Sequence, residues 1–399
     1  MRSDFDAVII GGGPAGATAA ILLAEGGWSV ALVEKQAFPR RKVCGECIAA
    51  PNLPLLERLG IAESFERLAG AELRQVGLML GKRTVTAALP ALQKGAYPWG
   101  RALGREHLDS LLLDRARLVG VHVMQPWTVS AVEGSPGDFA CSITSAGTGE
   151  SVSLTSPVVV AASGSWGNQP FLPGPKPPHK PNDLLGFKAN FRRANLRPGL
   201  LPVLAFPGGY GGMVRAGDDL LTVACCIRRD ALQDCRQKFP RASAGESVEA
   251  YLRAACLGVE QTLRPAERQG AWLSAGPLRP GIRVSQSGNG PLLVGNAAGE
   301  AHPIIGEGIS MAMQSAWLLS RRLLQQGKPD VRGFAALRKD YAREWRRQFA
   351  PRLRLAAAFA HLAMRPQCSG LLLPFIEQWP GLLTCGAYYS GKVSNSAMP

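Results

Sequence analysis

The sequence lacks long apolar segments and the common nucleic-acid-binding motifs. No apolar run approaches the about 20 residues that a membrane-spanning helix needs, so no such helix is predicted. Zinc-finger spacings, RNA-binding aromatic motifs and long basic runs are also missing. The chain passes from Met1-Arg2-Ser3-Asp4 directly into a predicted strand, so we expect no signal peptide and a cytoplasmic location.

The sequence has fewer acidic residues than basic ones. The 45 Lys and Arg residues outnumber the 30 Asp and Glu residues and give a formal net charge of +15. Such a surplus is compatible with nucleic acid, with an anionic membrane surface, or with anionic cofactors and substrates. Because the arginines are dispersed or paired, as in Arg192-Arg193 and Arg321-Arg322, nucleic acid is the weakest of the three interpretations. A peripheral membrane contact stays open, and the sequence does not indicate the oligomeric state.

The cysteines do not form the pattern of a disulfide framework or a metal site. Nine cysteines, an odd number, are scattered through a chain of 399 residues, which favours free thiols. Cys44 and Cys47 have Cys-x-x-Cys spacing, but no second pair of ligands follows at a matching distance. We therefore predict no metal, and redox activity of this pair remains an alternative.

The N-terminal segment has the pattern of a dinucleotide-binding βαβ unit. A β-branched run is followed by Gly11-Gly12-Gly13-Pro14-Ala15-Gly16, an Ala-rich helical stretch, and a second apolar run that ends in Glu34. In this pattern the first glycine permits a tight turn, the second lets the backbone approach a pyrophosphate, and the third allows close packing of helix on strand. The helix N-terminus attracts phosphate, and the acid accepts hydrogen bonds from ribose hydroxyls.

A second segment near the C-terminal third resembles a known family. It reads Leu293-Val294-Gly295-Asn296-Ala297-Ala298-Gly299 and, after His302-Pro303, continues as Ile305-Gly306-Glu307-Gly308-Ile309. This resembles the Gly-Asp-Ala-Ala-Gly and Pro-x-x-Gly-Glu-Gly-Ile motifs of FAD enzymes of the p-hydroxybenzoate hydroxylase-like superfamily, which includes aromatic monooxygenases, geranylgeranyl reductases and flavin halogenases. The resemblance implies FAD contacts at Gly295, Asn296, Gly306, Gly308 and Ile309, with Asn296 at the position of the usual Asp.

Three more segments extend the resemblance. The loop from Phe38 to Ile48 is similar to the reductase and halogenase loop whose basic side chains reach the pyrophosphate, and Arg105 matches an arginine that contacts FAD. Ala162-Ser163-Gly164 stands where aromatic hydroxylases carry an Asp-Gly signature, so Ser163 departs from that pattern. The resemblance thereby implies further cofactor contacts at Lys35, Arg41, Lys42, Cys44, Gly45 and Arg105.

The predicted fold class is α/β: a Rossmann-like FAD-binding domain with an inserted β-sheet substrate domain and a C-terminal helical segment. We assign 1–80, 101–175 and 281–330 to the FAD-binding domain. The ranges 81–100 and 176–280 are assigned to the substrate domain, and 331–399 to a helical cap. The proline-dense stretch from Pro170 to Pro181 is predicted to be the linker between domains.

Three residues are candidate catalytic groups. His302 lies within a flavin motif, where it is either an acid–base group or a packed polar residue. Tyr210 is either a substrate contact or part of sheet packing. Cys44 matches a cysteine beside the flavin in geranylgeranyl reductases. Lys94 is the one candidate for a halogenase lysine, although a lysine before glycine is more often a solvated turn.

The predicted function is an FAD-dependent monooxygenase of secondary metabolism. It would use NAD(P)H and O₂ to hydroxylate an aromatic or polyketide-like hydrophobic substrate. The alternatives are a reductase or dehydrogenase acting on a carbon–carbon double bond, a flavin-dependent halogenase, and a non-enzymatic FAD-bound carrier or assembly protein. The apolar C-terminal segment is either a plain helical cap, which we favour, or a lid or membrane-surface patch for a lipophilic substrate.

Overall fold

The structure, a computed structural model, describes residues 3–92, 95–165, 178–217 and 219–392. In these ranges the strands are β1 (Ala7–Ile10), β2 (Val30–Val33), β3 (Cys47–Ile48), β4 (Gln75–Leu80), β5 (Arg83–Ala88), β6 (Arg101–Ala102), β7 (His122–Met124), β8 (Trp127–Ser135), β9 (Asp138–Ser145), β10 (Ser151–Ser156), β11 (Val158–Ala161), β12 (Leu184–Arg192), β13 (Leu200–Phe206), β14 (Gly209–Arg215), β15 (Leu221–Arg228), β16 (Glu267–Arg268), β17 (Leu273–Leu278), β18 (Gly281–Ile282), β19 (Leu292–Leu293) and β20 (Gly299–Glu300).

The α-helices follow in the same order: α1 (Pro14–Glu25), α2 (Leu53–Arg58), α3 (Ala62–Leu68), α4 (Arg105–Leu118), α5 (Arg229–Lys238), α6 (Ala244–Ala255), α7 (Leu257–Leu263), α8 (Gly308–Gln326), α9 (Val331–Ala363), α10 (Pro366–Gln378) and α11 (Gly381–Ala387). Short 3₁₀ turns span Ala50–Asn52, Gly295–Ala297 and Pro303–Ile305, and a π-helical turn spans Tyr388–Lys392. None of the helices in the described ranges is both long and apolar enough to cross a membrane.

Five parallel strands form the nucleotide-binding sheet, in the order β19-β11-β1-β2-β7. All four residues of β1, of β2 and of β11 are buried, which explains their nearly continuous apolar sequences. Helix α1 packs against α4 and α8. The predicted α/β class and its parallel Rossmann-like sheet are confirmed.

The large sheet has the order β16-β12-β15-β14-β13-β4-β5, with β17 added beside β12. Helices α6 and α7 contribute buried Val248, Leu252 and Val259 to the core that it shares with these strands. Strand β4 falls within the range 1–80 that we assigned to the FAD-binding part, yet it pairs with β13 in this sheet. Strands β4 and β5 form one hairpin, with Leu80 opposite Arg83, so both strands belong to the large sheet. The remaining boundaries stay predictions.

The C-terminal helices close one side of the molecule. Helix α9 inserts the buried aromatic side chains of Tyr341, Trp345 and Phe349 into the core of the nucleotide-binding part. Helix α10 packs on α9, and α11 packs on β4 and β5. Most of the proline-dense stretch from Pro170 to Pro181 lies outside the described residues.

The contact of α1 with β1 generates a stability prediction. A Cβ at Gly16 would lie 1.8 Å from the carbonyl oxygen of Gly11, so only glycine fits there. We expect Gly16→Ala to lower the free energy of unfolding by about 1–3 kcal/mol through overpacking, seen as a lower melting temperature of the FAD-free protein. The control is Gly370→Ala in α10, where no atom lies within 4 Å of the added Cβ. It should raise the melting temperature or leave it unchanged. Equal melting temperatures for the two variants would contradict the packing argument.

Candidate functional site

The carboxyl ends of four parallel strands meet at one edge of the nucleotide-binding sheet. Gly11 follows β1, Glu34 follows β2, Ala162 follows β11, and Gly295 lies just beyond β19. Open α/β sheets bind ligands at this edge because the loops that leave the strands diverge there. We call this region the cofactor cradle.

The glycine-rich turn forms the floor of the cradle. Gly11 has a φ of +107°, and a Cβ there would lie 2.6 Å from the Ala162 carbonyl oxygen. Gly13 caps the N-terminus of α1 without any side-chain hydrogen bond to the first turn. Backbone N–H groups of that turn are therefore available to an anion, and the helix dipole favours negative charge at the same place.

Glu34 is a buried carboxylate beside the turn. Its Oε2 accepts a hydrogen bond from the Gly12 N–H at 2.8 Å, and its Oε1 accepts one from the Gln36 N–H at 2.9 Å. Each carboxylate oxygen can accept more than one hydrogen bond, so acceptor capacity remains for a ribose diol. The two backbone contacts hold the side chain in one orientation.

A cluster of cations lines the opposite side of the cradle. Arg105 pairs with Asp109 through two hydrogen bonds of 2.7 Å, and Arg40 reaches the same carboxylate at 3.5 Å. Lys42 lies beside them. Desolvation, followed by repulsion from Arg105 and Arg40, lowers the pKa of Lys42 to about 8, although Asp109 and Glu34 act in the other direction. The cluster therefore carries more positive charge than its own carboxylates neutralise.

The second wall of the cradle comes from the segment around β19 and α8. Ser315 Oγ accepts from the Gly295 N–H at 2.7 Å, and Asn296 donates to Ser165 Oγ at 2.9 Å. Gly306 adopts the left-handed conformation with a φ of +63°, which directs the chain into α8. Glu307 is fully buried before that helix; burial raises the pKa of its carboxyl, although Lys392, 3.4 Å away, acts against the rise.

Glu46 ties the loop between β2 and β3 to the large sheet. Its carboxylate accepts hydrogen bonds from the Arg105 N–H at 2.9 Å, from Thr222 Oγ1 of β15 and from Lys188 Nζ of β12. Both Glu46 and Lys188 are 1% exposed. Because a buried charge without its partner is very unfavourable, this ion pair fixes the loop against the sheet.

The two cysteines of the same loop have different surroundings. Cys44 lines the cradle next to Arg105, and its Sγ accepts from the Glu46 N–H at 3.4 Å. Cys47 is buried, and burial raises the pKa of its thiol even though Lys392 Nζ lies 3.7 Å from the sulfur. No disulfide links cysteines in the described part of the chain.

A cavity of about 690 Å³ runs from the cradle to the large sheet and the C-terminal helices. Its walls are mainly apolar, with Val76, Leu201 and Met213 from the sheet and Leu355 and Phe359 from α9. Gly211 and Gly212 of β14 also line it and contribute no side chains. The cavity is therefore suited to an apolar molecule beside the cradle.

Tyr210 and His302 form a hydrogen-bonded pair in the cavity wall. Tyr210 Oη lies 3.1 Å from His302 Nδ1. Burial and the neighbouring His361 lower the pKa of His302 to about 4, and burial raises the pKa of the Tyr210 hydroxyl. Both side chains are consequently uncharged at neutral pH.

The residues present fit an FAD molecule. The unbalanced cations suit a diphosphate, and Arg40 Nε is buried without a hydrogen-bond partner among the described residues. Ser163 Oγ, at the end of β11, is orphaned in the same way. Glu34 would hold the ribose; Lys42, Arg40 and Arg105 the diphosphate; and Asn296 the ribitol. The Gly306–Ile309 turn would face the ring system.

Most of the predicted cofactor residues converge on one place. The cavity wall includes Tyr210 and His302, two of the predicted catalytic residues. It also includes many of the predicted cofactor residues: Gly13, Pro14, Ala15, Lys42, Cys44, Gly45, Arg105, Gly295, Asn296, Gly306, Gly308 and Ile309. Gly11, Gly16 and Glu34 form the turn and strand end below it. Lys35 and Arg41 are not brought to the wall: both are exposed, and Arg41 donates to the Gln269 carbonyl oxygen at 2.9 Å. Arg40 and Lys42, two residues apart, face inward instead.

Three residues at the site were not predicted. Arg40 stood in the same basic run as Arg41, and the sequence did not show which of them faces inward. Glu46 lay inside the recognised loop, but its partner Lys188 is 142 residues away. Lys392 reaches Glu307 from the far end of the chain, and no local pattern marks it.

Comparison with known proteins agrees with this site. A family model described as FAD binding domain matches residues 4–330. A tryptophan 2-halogenase of Chondromyces crocatus is 26% identical over 343 residues, which are 80% of this chain and 60% of that protein. A 6-methylpretetramide 4-monooxygenase of Streptomyces rimosus is 33% identical over 112 residues, covering 28% of this chain and 27% of that protein.

The fold is also that of solved flavoproteins. The myxobacterial chondrochloren halogenase CndH superposes with a TM-score of 0.74 at 20% identity and covers 99% of both chains. The chain spans only about three-fifths of the tryptophan 2-halogenase that it matches. Because the family model covers more than half of the chain, the protein belongs to the FAD binding domain family, and with it to the p-hydroxybenzoate hydroxylase-like superfamily of FAD-dependent oxidoreductases.

Proposed function

We propose that this chain is an FAD-dependent monooxygenase that uses NAD(P)H and O₂ to hydroxylate an aromatic or polyketide-like hydrophobic molecule in secondary metabolism. The observation that carries the proposal is the cavity of about 690 Å³ that includes the cofactor cradle and extends from it along apolar side chains of the large sheet and α9, with the uncharged Tyr210–His302 pair in its wall. Its apolar part offers a small molecule a site beside the cofactor.

The cavity wall selects for apolar substrates by its composition. Gly211 and Gly212 leave the surface of β14 open, so a flat ring system can approach the strand. Leu201 and Met213 offer apolar contacts beside them. A charged substrate would lose its hydration here without gaining an ion pair from these side chains.

The Tyr210–His302 pair gives the cavity a hydrogen-bond acceptor. With a pKa of about 4, His302 is neutral at physiological pH, and its ring can accept a hydrogen bond from a substrate hydroxyl, directly or through Tyr210. His361, which is exposed, lies with its ring centre 6.1 Å from that of His302 and offers a route to solvent. A phenolic hydroxyl that donates a hydrogen bond to this acceptor makes its aromatic ring more electron-rich. Bound FAD, reduced by NAD(P)H, would supply the electrons for oxygen transfer.

A halogenase is the second candidate, because the tryptophan 2-halogenase resembles four-fifths of this chain. In the described part of the chain, the lysines of the cavity wall are Lys42 and Lys392. Lys42 belongs to the cation cluster, and Lys392 contacts Glu307. Lys94, the candidate halogenase lysine, lies outside the described residues. We rank hydroxylation first because of the apolar cavity wall and the uncharged Tyr210–His302 pair, and we test both reactions together.

The reaction type is tested with purified FAD-loaded protein under ¹⁸O₂, with NADPH or NADH and a panel of aromatic polyketides. We expect substrate-dependent NAD(P)H consumption and one ¹⁸O atom in the product, with no dependence on halide. Product that forms only with chloride or bromide and an added flavin reductase would establish the halogenase instead. Anaerobic reduction of a double bond would establish a reductase, and absence of any turnover would leave an FAD carrier.

The role of the pair is tested with Tyr210→Phe and His302→Asn. We expect kcat to fall about tenfold for either variant, since one hydrogen bond to the substrate contributes up to about 1.5 kcal/mol, while FAD affinity stays unchanged. Wild-type kcat should hold from neutral pH down to about 5 and fall toward pH 4 as His302 gains a proton. Tyr251→Phe is the control, because its hydroxyl only donates to the Pro207 carbonyl oxygen. Full activity of Tyr210→Phe would refute the role.

The cation cluster is tested through FAD affinity. A diphosphate favours protonated Lys42, so its pKa of about 8 must rise on binding. We expect FAD binding to the apoprotein, followed by flavin fluorescence, to weaken as pH rises above about 8. Lys42→Met should flatten this dependence and weaken binding about tenfold at pH 7, the value of one charged hydrogen bond. The exposed neighbour variant Arg41→Gln is the control and should behave like wild type. Unchanged affinity in Lys42→Met would remove Lys42 from the diphosphate site.

A further inference from the structure

Exposed apolar side chains are concentrated at the C-terminal end of the described chain. Of thirteen large apolar side chains exposed in the described ranges, seven lie between residues 371 and 389, and these include all four exposed aromatic ones. We define the C-terminal apolar patch by these seven residues: Leu371, Leu372, Phe375, Trp379, Leu382, Tyr388 and Tyr389. Contiguous apolar surface of this kind marks an interaction site.

Helical geometry explains how the patch forms. Leu371 and Phe375 are four residues apart and lie on one face of α10, and Trp379 follows the helix, with its ring stacked on that of Phe375 at 6.2 Å. Leu371 is 74% exposed and Trp379 is 58% exposed. Helix α10 contacts α9, and α11 contacts the β4–β5 hairpin. Among the residues of α10 only Ser369 is buried, so most of this helix is surface.

The exposed charge of the C-terminal segment is mainly positive. Residues 345–392 contain six Lys and Arg residues and one acidic residue, Glu377, which Arg83 contacts at 3.5 Å; of the six, Arg352 is buried and Lys392 contacts Glu307. Arg347 and Arg354, two helical turns apart on one exposed face of α9, and Arg365, at the start of α10, are exposed. Exposed aromatic side chains and exposed arginines on neighbouring helices are typical of proteins that lie on anionic lipid surfaces.

The patch is continuous with the cavity. Leu372, Leu382 and Tyr389 belong to the patch and also line the cavity wall. Ile376 and Leu383, on the same helices, line it further in. An apolar molecule can therefore pass from the surface of the patch into the cavity along apolar side chains.

We infer that the C-terminal apolar patch docks the protein on the surface of an anionic lipid bilayer, and that the cavity takes its lipophilic substrate from that bilayer. The second half rests on the proposed function. A second copy of the chain suits the patch less well, because a two-fold contact would bring the arginines at its edge close to each other.

Docking is tested by co-sedimentation of the FAD-loaded full chain with vesicles of phosphatidylcholine alone or mixed with phosphatidylglycerol. We expect stronger binding to the anionic vesicles and weakening by salt. Phe375→Ser combined with Trp379→Ser should lower the partition coefficient at least about tenfold, because two aromatic side chains no longer enter the lipid. Arg354→Gln should lower it about fivefold on anionic vesicles only.

The matched control combines Leu118→Ser with Val331→Ser, two apolar side chains that are 80% and 64% exposed outside the patch. This control should bind vesicles like wild type. Visible absorbance of bound FAD and the melting temperature report whether each variant is folded. Absence of binding to either vesicle, or equal binding by patch and control variants, would overturn the docking. A dimer in gel filtration that the patch variant converts to monomer would assign the patch to a second copy and overturn it as well.

Substrate uptake is tested with dodecylphenol as the probe, presented in anionic vesicles or in detergent, with the change in flavin absorbance as readout. We expect the patch variant to slow the change only when the probe is in vesicles. An equal rate for wild type and variant in vesicles would overturn the uptake. No step here requires turnover, so loss of the proposed hydroxylation would leave the docking result standing.

Discussion

The buried ion pair of Glu46 and Lys188 is the contact on which the site depends. It joins the loop that carries Arg40, Lys42 and Cys44 to strand β12, and Thr222 and the Arg105 N–H complete the coordination of the same carboxylate. A buried ion pair contributes little net stability, but loss of one partner leaves an uncompensated charge in the interior. The pair therefore holds the loop of the cradle against the large sheet, and the cavity lies between the cradle and that sheet.

The cradle itself carries more positive charge than its carboxylates neutralise, so an anionic cofactor would stabilise it. Three cations lie close to Asp109 and Glu34, and the pKa of Lys42 is lowered first by desolvation and then by repulsion from Arg105 and Arg40. A ligand with two negative charges relieves that repulsion, so part of its binding free energy stabilises the folded protein. The glycine-rich turn contributes backbone N–H groups to the same place without adding further charge. Anion binding and loop order are thus coupled through Arg105, which contacts both Asp109 and Glu46.

Local patterns in the sequence predicted the local parts of the site. Gly11 to Gly16 and Gly306 to Ile309 could be recognised because the backbone conformation of a turn depends on residues that are adjacent in sequence. Arg40 could not be separated from Arg41, because the direction of a loop side chain depends on what packs against it. Lys188 and Lys392 could not be assigned at all, since their partners lie in distant segments. The range 1–80 was assigned to the FAD-binding part without foreseeing that strand β4 pairs with β13, because pairing partners are set by the tertiary fold.

Two groups of positively charged side chains lie in different parts of the structure. Arg40, Lys42 and Arg105 point into the cradle, where a bound diphosphate would neutralise them. Arg347, Arg354 and Arg365 lie on the exposed side of the C-terminal helices, where the nearby sequence supplies one acid among 48 residues from 345 to 392. Among the described residues no ion pair holds these three arginines, which favours an external partner, and the same group of helices exposes apolar side chains that water solvates poorly. A surface with both properties is complementary to an anionic lipid headgroup layer over its hydrocarbon, which satisfies the arginines and the aromatic side chains together.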